Sequence, residues 1–152
     1  PLAVKLAIWF HDAVYDTALS DNEQRSASMA QQALSQWGCG PDLISSVVSK
    51  VQATAGHRWE DGDTDTALFL DFDLSVLAAP EAAYDLYANQ IAQEYAWVPP
   101  LVYRAGRIDV LQGFLSRSHL YFTEPLRAQW EARARLNLRR ELTLLTDEPC
   151  AQ

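Results

Sequence analysis

Apolar residues recur along this chain at the three- and four-residue spacing of amphipathic helices, whereas the alternating pattern of strands is scarce. Signals that start or stop a helix come about every 15 to 20 residues. The sequence therefore predicts an all-α fold, a single bundle of about seven helices. The predicted helices run from about Leu2 to Val14, Ser20 to Trp37, Pro41 to Gly56, Thr66 to Leu77, Pro80 to Trp97, Leu101 to Leu115 and Thr123 to Leu145.

Helix ends and loops are predicted from individual residues. Ser20 and Glu23 have the S-x-x-E spacing of a capping box, which predicts the start of the second helix. The first helix is apolar on nearly every face, as expected for a helix in the middle of a bundle. The polar run of residues 57–65 predicts a loop, and residues 147–152 predict a flexible tail after one domain that spans residues 1–146.

Composition places the chain among ordinary globular proteins, because its 152 residues are 49% hydrophobic and 21% charged. A net charge of −8 disfavours binding to nucleic-acid polymers and to anionic membranes. The locally basic stretch from Glu124 to Leu145 is expected to be a solvated helix face. Cys39 and Cys150 form neither a disulfide framework nor a metal motif, and nothing resembles a signal peptide or a membrane span. We therefore expect a cytoplasmic protein.

His11 and Asp12 are adjacent polar residues inside an otherwise apolar segment, where burying an ionisable side chain without a partner costs several kcal/mol. A divalent metal ion would satisfy both, because imidazole nitrogen and carboxylate oxygen are ligands for Mn, Fe, Co, Ni or Zn. The alternative is a histidine hydrogen-bonded in the core beside a carboxylate that caps a helix end. A His-Asp dipeptide by itself favours that alternative.

The segment from Ala67 to Leu77 adds two further acidic candidates. On a helical wheel its leucines define one face and its phenylalanines lie on the other side, and Asp73 falls between them in an apolar arc. Asp71 falls beside Ser75 in the one polar gap. Since residues two apart do not share a helix face, we expect Asp73 to be a direct metal ligand and Asp71 to be a solvated or hydrogen-bonded surface carboxylate.

Several motifs occur in a fixed order along the chain. They are Ala7-Ile-Trp-Phe-His11-Asp12-Ala-Val-Tyr15-Asp16, Asp21-Asn22-Glu23 with Ser26, Thr54 with His57, Leu70-Asp71-Phe-Asp73-Leu-Ser75, Glu94-Tyr95-Ala-Trp-Val98 and Tyr103-Arg104-Ala-Gly-Arg107. In this ordered set, and over nearly its whole length, the chain resembles a bacterial group of predicted HD-domain metal-dependent phosphohydrolases. The resemblance implies the helical HD-domain fold.

The resemblance also implies a metal site. In the family pattern an upstream histidine, a His-Asp pair and a distant aspartate converge on one metal ion in a helical bundle. The pair falls on His11 and Asp12 and the distant aspartate on Asp73, whereas the upstream histidine has no counterpart in a chain that begins at Pro1. Either a natural segment precedes Pro1, or the site has three protein ligands completed by water. The metal would be Mn, Fe, Co, Ni, Mg or Zn.

A metal ion bound there would lower the pKa of a bound water and neutralise phosphoryl oxygens during hydrolysis of a phosphate ester. Asp12 is then both a ligand and the group that orients or deprotonates the water. His57 is a second catalytic candidate, through contact with phosphate or a second metal; the alternative is a histidine stabilised by a helix C-terminus. Glu23 belongs either to the capping box, which we favour, or to the contacts that support a ligand or water, a role also open to Asp71.

Three basic residues are candidates for binding the phosphate of a substrate. Arg104 and Arg107 lie three apart on one helix face, and arginine suits the geometry of phosphate. Lys50, on the third helix, is a weaker candidate. The alternative for the arginines is ion pairing with the acidic surface, which is the reading we favour.

The sequence thus predicts an enzyme, a phosphohydrolase that cleaves a phosphate ester of a small molecule, with a nucleotide as the leading substrate class by analogy. The alternative is a non-catalytic HD-like module that binds a metal ion, a nucleotide or a partner protein and regulates some other molecule. A plain helical interaction domain ranks last. Because an apolar first helix could leave an exposed patch, formation of a homo-oligomer is a further expectation.

Overall fold

Helices make up most of the protein in the computed structural model, which describes residues 1–59 and 63–147. Their bounds are α1 Leu2–Phe10, α2 Asn22–Gln36, α3 Pro41–Ala53, α4 Thr64–Asp73, α5 Glu81–Glu94, α6 Pro100–Ser116 and α7 Glu124–Asp147, with a 3₁₀ helix at Leu74–Ala78. No strand occurs in the two described ranges. The all-α prediction and the predicted number of helices are therefore confirmed for this part of the chain. None of these helices is both long and apolar enough to cross a membrane.

The chain divides into two compact units, Pro1–Phe72 and Asp73–Gln152. In the first unit, α1 and α2 both pack against α3. The buried apolar residues of this unit are Val4, Ala7, Ala27, Ala30, Leu34, Val47, Val51, Ala67, Phe69 and Leu70. Because several of them are alanines, the helices can approach closely. The prediction that residues 1–146 form a single domain, which would fold cooperatively, stays a prediction.

The second unit is organised around α7. The 3₁₀ helix and α6 pack along α7, and α5 contacts both the 3₁₀ helix and α7. The buried core consists of Leu74, Leu77, Ala78, Tyr84, Leu111, Leu120, Tyr121, Ala134 and Leu138. Asn137 of α7 adds two hydrogen bonds to this unit, because its Nδ2 donates to the carbonyls of Leu77 at 2.9 Å and Ala79 at 3.0 Å.

The first helix is shorter than predicted, since it ends at Phe10 and not at Val14. His11 is its C-cap residue, with an amide that donates to the carbonyl of Ala7 at 2.9 Å. Farther on, the hydroxyl of Ser26 on α2 hydrogen-bonds both backbone groups of Val14. A side chain that satisfies backbone groups in this way competes with helical hydrogen bonds, which accounts for the early end of the helix.

One side of α1 faces solvent, so the prediction of a helix in the middle of a bundle is wrong. Val4 and Ala7 are its buried residues. Leu2, Ile8 and Trp9 are 60%, 52% and 83% exposed. The reason is that α1 packs mainly against one neighbour, α3, which can cover only one side of a helix.

The start of α2 also differs from the prediction. Asp21, not Ser20, is the N-cap residue, and its side chain makes no capping hydrogen bond. Its carboxylate instead pairs with Nε of Arg25 at 2.9 Å, four residues along the helix. The predicted capping box between Ser20 and Glu23 is therefore wrong, because Ser20 lies outside the helix.

The prediction of a solvated helix face for this basic stretch holds only in part, because Arg133 and Arg139 of α7 are exposed whereas its other arginines are half-buried. Arg127 and Arg135 donate to backbone carbonyls at the end of α6 and in the loop before α7. Arg140 pairs with Asp85 on α5 at 2.6 Å. Carbonyls at and beyond a helix end lack helical hydrogen-bond donors, and these guanidinium groups donate to them instead.

Two further boundaries differ from the prediction. The predicted helix from Thr66 to Leu77 consists of α4 and the 3₁₀ helix. Asp147, predicted to begin the tail, is the last residue of α7. The rest of the predicted tail, residues 148–152, and the middle of the predicted loop, residues 60–62, lie outside the described residues.

Candidate metal site

His11 lies at the C-terminal end of α1 with its ring held in place. Its Nδ1 hydrogen-bonds the carbonyl of Ile8 at 3.0 Å. The ring also meets the ring of Phe69 edge-on, with centroids 5.8 Å apart and an interplanar angle of 86°. Because a carbonyl can only accept a hydrogen bond, Nδ1 is the nitrogen that carries the proton in neutral His11. The other ring nitrogen, Nε2, then carries the lone pair that could bind a metal ion.

The carboxylate of Asp12 faces that second nitrogen, with 3.3 Å between Nε2 and Oδ2. With Nδ1 protonated, the neutral ring directs a lone pair at a carboxylate oxygen, which is repulsive unless a cation or a second ring proton lies between them. Two ligands about 2.1 Å from one metal ion are about 3.0 Å apart in octahedral and about 3.4 Å apart in tetrahedral coordination. The observed separation fits such a pair of ligands. The side chains of His11 and Asp12 are 21% and 67% exposed, so the pair is accessible to a small molecule.

The chain that follows Asp12 is tied to α2 by two side chains. Ser26 bonds both backbone groups of Val14, and Asn22 bonds both backbone groups of Asp16. Asp16 in turn accepts a hydrogen bond from the amide of Ala18 at 2.9 Å. The sequence gives no role to Ser26 or Asn22 beyond their place in the ordered motifs, because their partners lie up to 12 residues away.

The two aspartates of α4 are placed differently from the helical-wheel prediction. Asp71 is 0% exposed, so the prediction of a surface carboxylate is wrong. It belongs to the buried face formed with Ala67 and Leu70, at the spacing of three and four residues that one helix face requires. Within the described residues, no buried side-chain nitrogen or oxygen lacks a hydrogen-bond partner. Asp73, the predicted ligand, is half-buried and begins the second unit.

The pair of His11 and Asp12 is the part of the predicted ligand set that the structure brings together. Over residues 1–59 and 63–147, no group of three or more His, Cys, Asp or Glu side chains is arranged to hold a metal ion. A metal ion on this pair would therefore leave most of its coordination positions to water or substrate. Open positions are what a hydrolytic metal site needs.

His57 and Glu23 lie at helix ends in the first unit. His57 follows α3 with a φ of +46°, and its amide donates to the carbonyl of Thr54 at 3.4 Å. Left-handed residues of this kind are typical where the chain turns away from a helix C-terminus. Glu23 lies in the first turn of α2, where a negative charge stabilises the helix dipole.

Lys50 is occupied by an internal ion pair. Its side chain is 3% exposed, and Nζ lies 3.0 Å from Oδ2 of Asp63. Nζ also bonds Oγ of Ser46 at 3.2 Å. Asp63 precedes α4, and its Oδ1 accepts from the amides of Asp65 at 3.1 Å and Thr66 at 3.2 Å, as an N-cap side chain does. The hydrogen bond from the hydroxyl of Thr66 and, against the opposing effect of burial, the pairing with Lys50 lower the pKa of Asp63 to about 2.

Arg107 forms an ion pair, which is the alternative to substrate binding that the sequence favours for the arginines. Its Nε and Nη2 donate to the two carboxylate oxygens of Glu141 at 2.7 Å and 3.0 Å, and both side chains are nearly buried. The same carboxylate accepts a hydrogen bond from the hydroxyl of Tyr84, and burial raises the pKa of that phenol well above its usual range. Arg104 donates from Nε to the carbonyl of Leu145. Substrate binding by these arginines stays a prediction.

Comparisons of the chain with models of known protein families, with curated proteins and with solved structures found no match.

Proposed function

We propose that this protein is a metal-dependent phosphohydrolase that cleaves a phosphate ester of a small molecule, with nucleotides as the leading substrate class. The observation that carries the proposal is the accessible pair of Nε2 of His11 and Oδ2 of Asp12, which lie 3.3 Å apart with the other ring nitrogen already bonded to Ile8. The ordered motifs of the sequence support the same proposal.

A divalent metal ion on this pair would supply a water of lowered pKa and positive charge for the phosphoryl oxygens. His11 would bind it through Nε2, and its hydrogen bond to Ile8 keeps the ring in the orientation that binding requires. Asp12 would be a second ligand and would orient or deprotonate the attacking water. That Asp73 is also a ligand stays a prediction of the sequence motifs.

The proposed substrate contacts have less support from the structure than the pair of His11 and Asp12 has. His57 is the proposed contact for phosphate or a second metal ion, and its left-handed backbone sets its direction after α3. Arg104 is a weaker proposed contact. Lys50 and Arg107 contribute least to the proposal, because each already pairs with a carboxylate inside its own unit.

The test is a screen of phosphomonoesters, phosphodiesters and nucleotides with the whole chain in the presence of manganese. Asp12→Asn should reduce turnover by about 10²-fold or more, because it removes a ligand and the base together. Asp21→Asn is the matched control, since Asp21 is also exposed but pairs only with Arg25 among the contacts described above. Manganese-dependent turnover that survives in Asp12→Asn would contradict the proposal, as would a parent protein that hydrolyses none of these esters.

The second candidate is a non-catalytic module that binds metal or a partner. Two observations favour it: only two protein ligands are brought together in the described residues, and Trp9 is 83% exposed on an apolar helix face. Manganese binding without hydrolysis of any ester in the screen would support this candidate over the enzyme.

A further inference from the structure

Ser26 makes an unusual contact for a residue in the middle of a helix. It is 0% exposed, and its hydroxyl bonds both backbone groups of one residue in the loop after α1. The amide of Val14 donates to Oγ at 3.0 Å, and Oγ donates to the carbonyl of Val14 at 3.2 Å. One buried hydroxyl therefore satisfies a donor and an acceptor that no helix or strand supplies.

Asn22 makes the equivalent contact one turn earlier on α2. The amide of Asp16 donates to its Oδ1 at 3.1 Å, and its Nδ2 donates to the carbonyl of Asp16 at 2.9 Å. Four residues of helix rise about 6 Å, and two residues of extended chain span nearly the same length. The spacing of Asn22 and Ser26 thus matches that of Asp16 and Val14, so α2 holds this loop at two points.

These two points lie directly after the proposed ligands. The helical cap and the hydrogen bond to Ile8 fix His11 from the side of α1. Asp12 is beyond the helix and its side chain is 67% exposed, so the direction of its carboxylate depends on how the next residues run. Apart from a turn hydrogen bond at Ala13, the first tie after Asp12 is the double hydrogen bond of Ser26 to Val14.

We infer that Ser26 is a positioning residue for the metal site, with Asn22 as the second anchor of the same loop. The inference rests on the proposed function, because it assigns Ser26 to the pair formed by His11 and Asp12. Ser26 acts by holding the backbone of Val14, which fixes the direction from which Asp12 approaches Nε2 of His11.

The test compares manganese binding by the parent chain, Ser26→Ala and Ser28→Ala, measured by the electron paramagnetic resonance signal of free manganese. Ser28 is the matched control, since it lies on the same helix and its hydroxyl bonds only the helix carbonyl of Gln24, at 2.9 Å, among the bonds described. We expect manganese binding to weaken about 10- to 100-fold in Ser26→Ala, the size of effect typical for residues that orient metal ligands. Ser28→Ala should bind as the parent does.

A spectroscopic readout separates positioning from general loss of stability. Cobalt substituted for manganese should show altered d–d absorption bands in Ser26→Ala, because the geometry of the ligands changes even at saturating metal. Asn22→Ala tests the same loop at its less buried anchor and should also weaken manganese binding. This second variant keeps the inference testable if Ser26→Ala folds poorly. Unchanged affinity and unchanged cobalt bands in both variants would overturn the inference and leave the proposed function standing. A parent chain that binds neither ion would overturn the proposed function itself, and this inference with it.

Discussion

Among single residues, His11 is the one on which the proposed metal site depends most. The sequence predicts its partnership with Asp12 because the two are neighbours in an apolar segment. The hydrogen bond of Nδ1 to Ile8, which makes Nε2 the nitrogen that directs a lone pair outward, depends on the ring's rotation and on the helix ending at Phe10. Neither feature can be read from residue spacing.

Asp71 shows where residue spacing misleads. Apolar residues surround α4 almost evenly, so a helical wheel gives no clear polar side on which to place a carboxylate. The wheel assigned Asp71 to solvent, whereas it is 0% exposed and Phe72 is 48% exposed. Packing decides which of several apolar stripes is buried, and that choice depends on neighbouring helices.

A comparison of Asp71→Asn with Asp73→Asn tests the roles of these two residues. Asp71→Asn should lower the free energy of unfolding by about 1–3 kcal/mol, because it replaces one oxygen of a fully buried, hydrogen-bonded carboxyl group by an NH₂ group, which can only donate. Asp73→Asn should instead weaken manganese binding at least about tenfold with a smaller loss of stability. Chemical denaturation and metal titration of both variants are the measurements. A larger loss of metal affinity in Asp71→Asn would contradict the assignment of Asp73 as ligand.

The element most dependent on one side chain is α4. Asp63 caps its first turn and pairs with the buried ammonium of Lys50 on α3, which joins the two helices. A polar residue before an apolar run is the usual signal for a helix start, so this N-cap could have been predicted from the sequence. The pairing with Lys50 could not, because it joins residues 13 apart across a loop.

Asp63→Asn isolates the charge of this contact, because the amide keeps an oxygen that can cap the helix. At pH 6 the variant should be less stable than the parent by about 1–3 kcal/mol, since the buried Lys50 loses its carboxylate. The folded-state pKa of Asp63 is lowered to about 2, so the stabilisation is present above the unfolded pKa of about 3.9 and is lost as the pH falls towards 2.

The measurement is the free energy of unfolding of parent and variant from pH 6 down to pH 2. The difference between them should shrink over the interval from about pH 4 to about pH 2. Asp65→Asn is the control, since it removes a charge from the first turn of the same helix but not the partner of Lys50. A difference that stays constant across this interval would contradict the role given to the Asp63 carboxylate.

The starts and ends of the helices show which features of a helix can be predicted from the sequence. Helices α3 and α6 begin within one residue of their predicted starts, because proline fixes the first turn. The predicted C-terminal end of α1 is wrong, because Val14 bonds a side chain of another helix. The predicted cap of α2 is wrong, because the N-cap residue is Asp21, whose carboxylate pairs with Arg25. Signals carried by one residue are therefore predictable, and hydrogen bonds between distant residues are not.

At the scale of the whole molecule, the chain forms two compact units, each with its own apolar core. The helical spacing of apolar residues predicts an all-helical protein, and the amount of apolar side chain predicts a globular one. The division between Phe72 and Asp73 could not be predicted, because the boundary falls inside one continuous helical pattern where α4 passes into a 3₁₀ helix.

Core truncations test the prediction that residues 1–146 fold as one domain. Leu34→Ala in the first unit and Leu138→Ala in the second each remove a side chain that is 0% exposed, at a cost of about 2–5 kcal/mol. If the chain is one cooperative domain, both variants lower the midpoint of one common unfolding transition followed by circular dichroism. Two separate transitions, each moved by only one of the variants, would show that the units fold independently.

If His11 and Asp12 bind a divalent metal ion, the metal content of the protein shows it. The parent, His11→Ala and His119→Ala are dialysed to equilibrium against manganese, and bound metal is measured by elemental analysis. His119 is exposed and lies outside the site, so it controls for casual binding to a histidine. We expect near-stoichiometric manganese in the parent and in His119→Ala, and its loss in His11→Ala with helix content unchanged. Equal metal content in all three proteins, or none in the parent, would contradict metal binding by this pair.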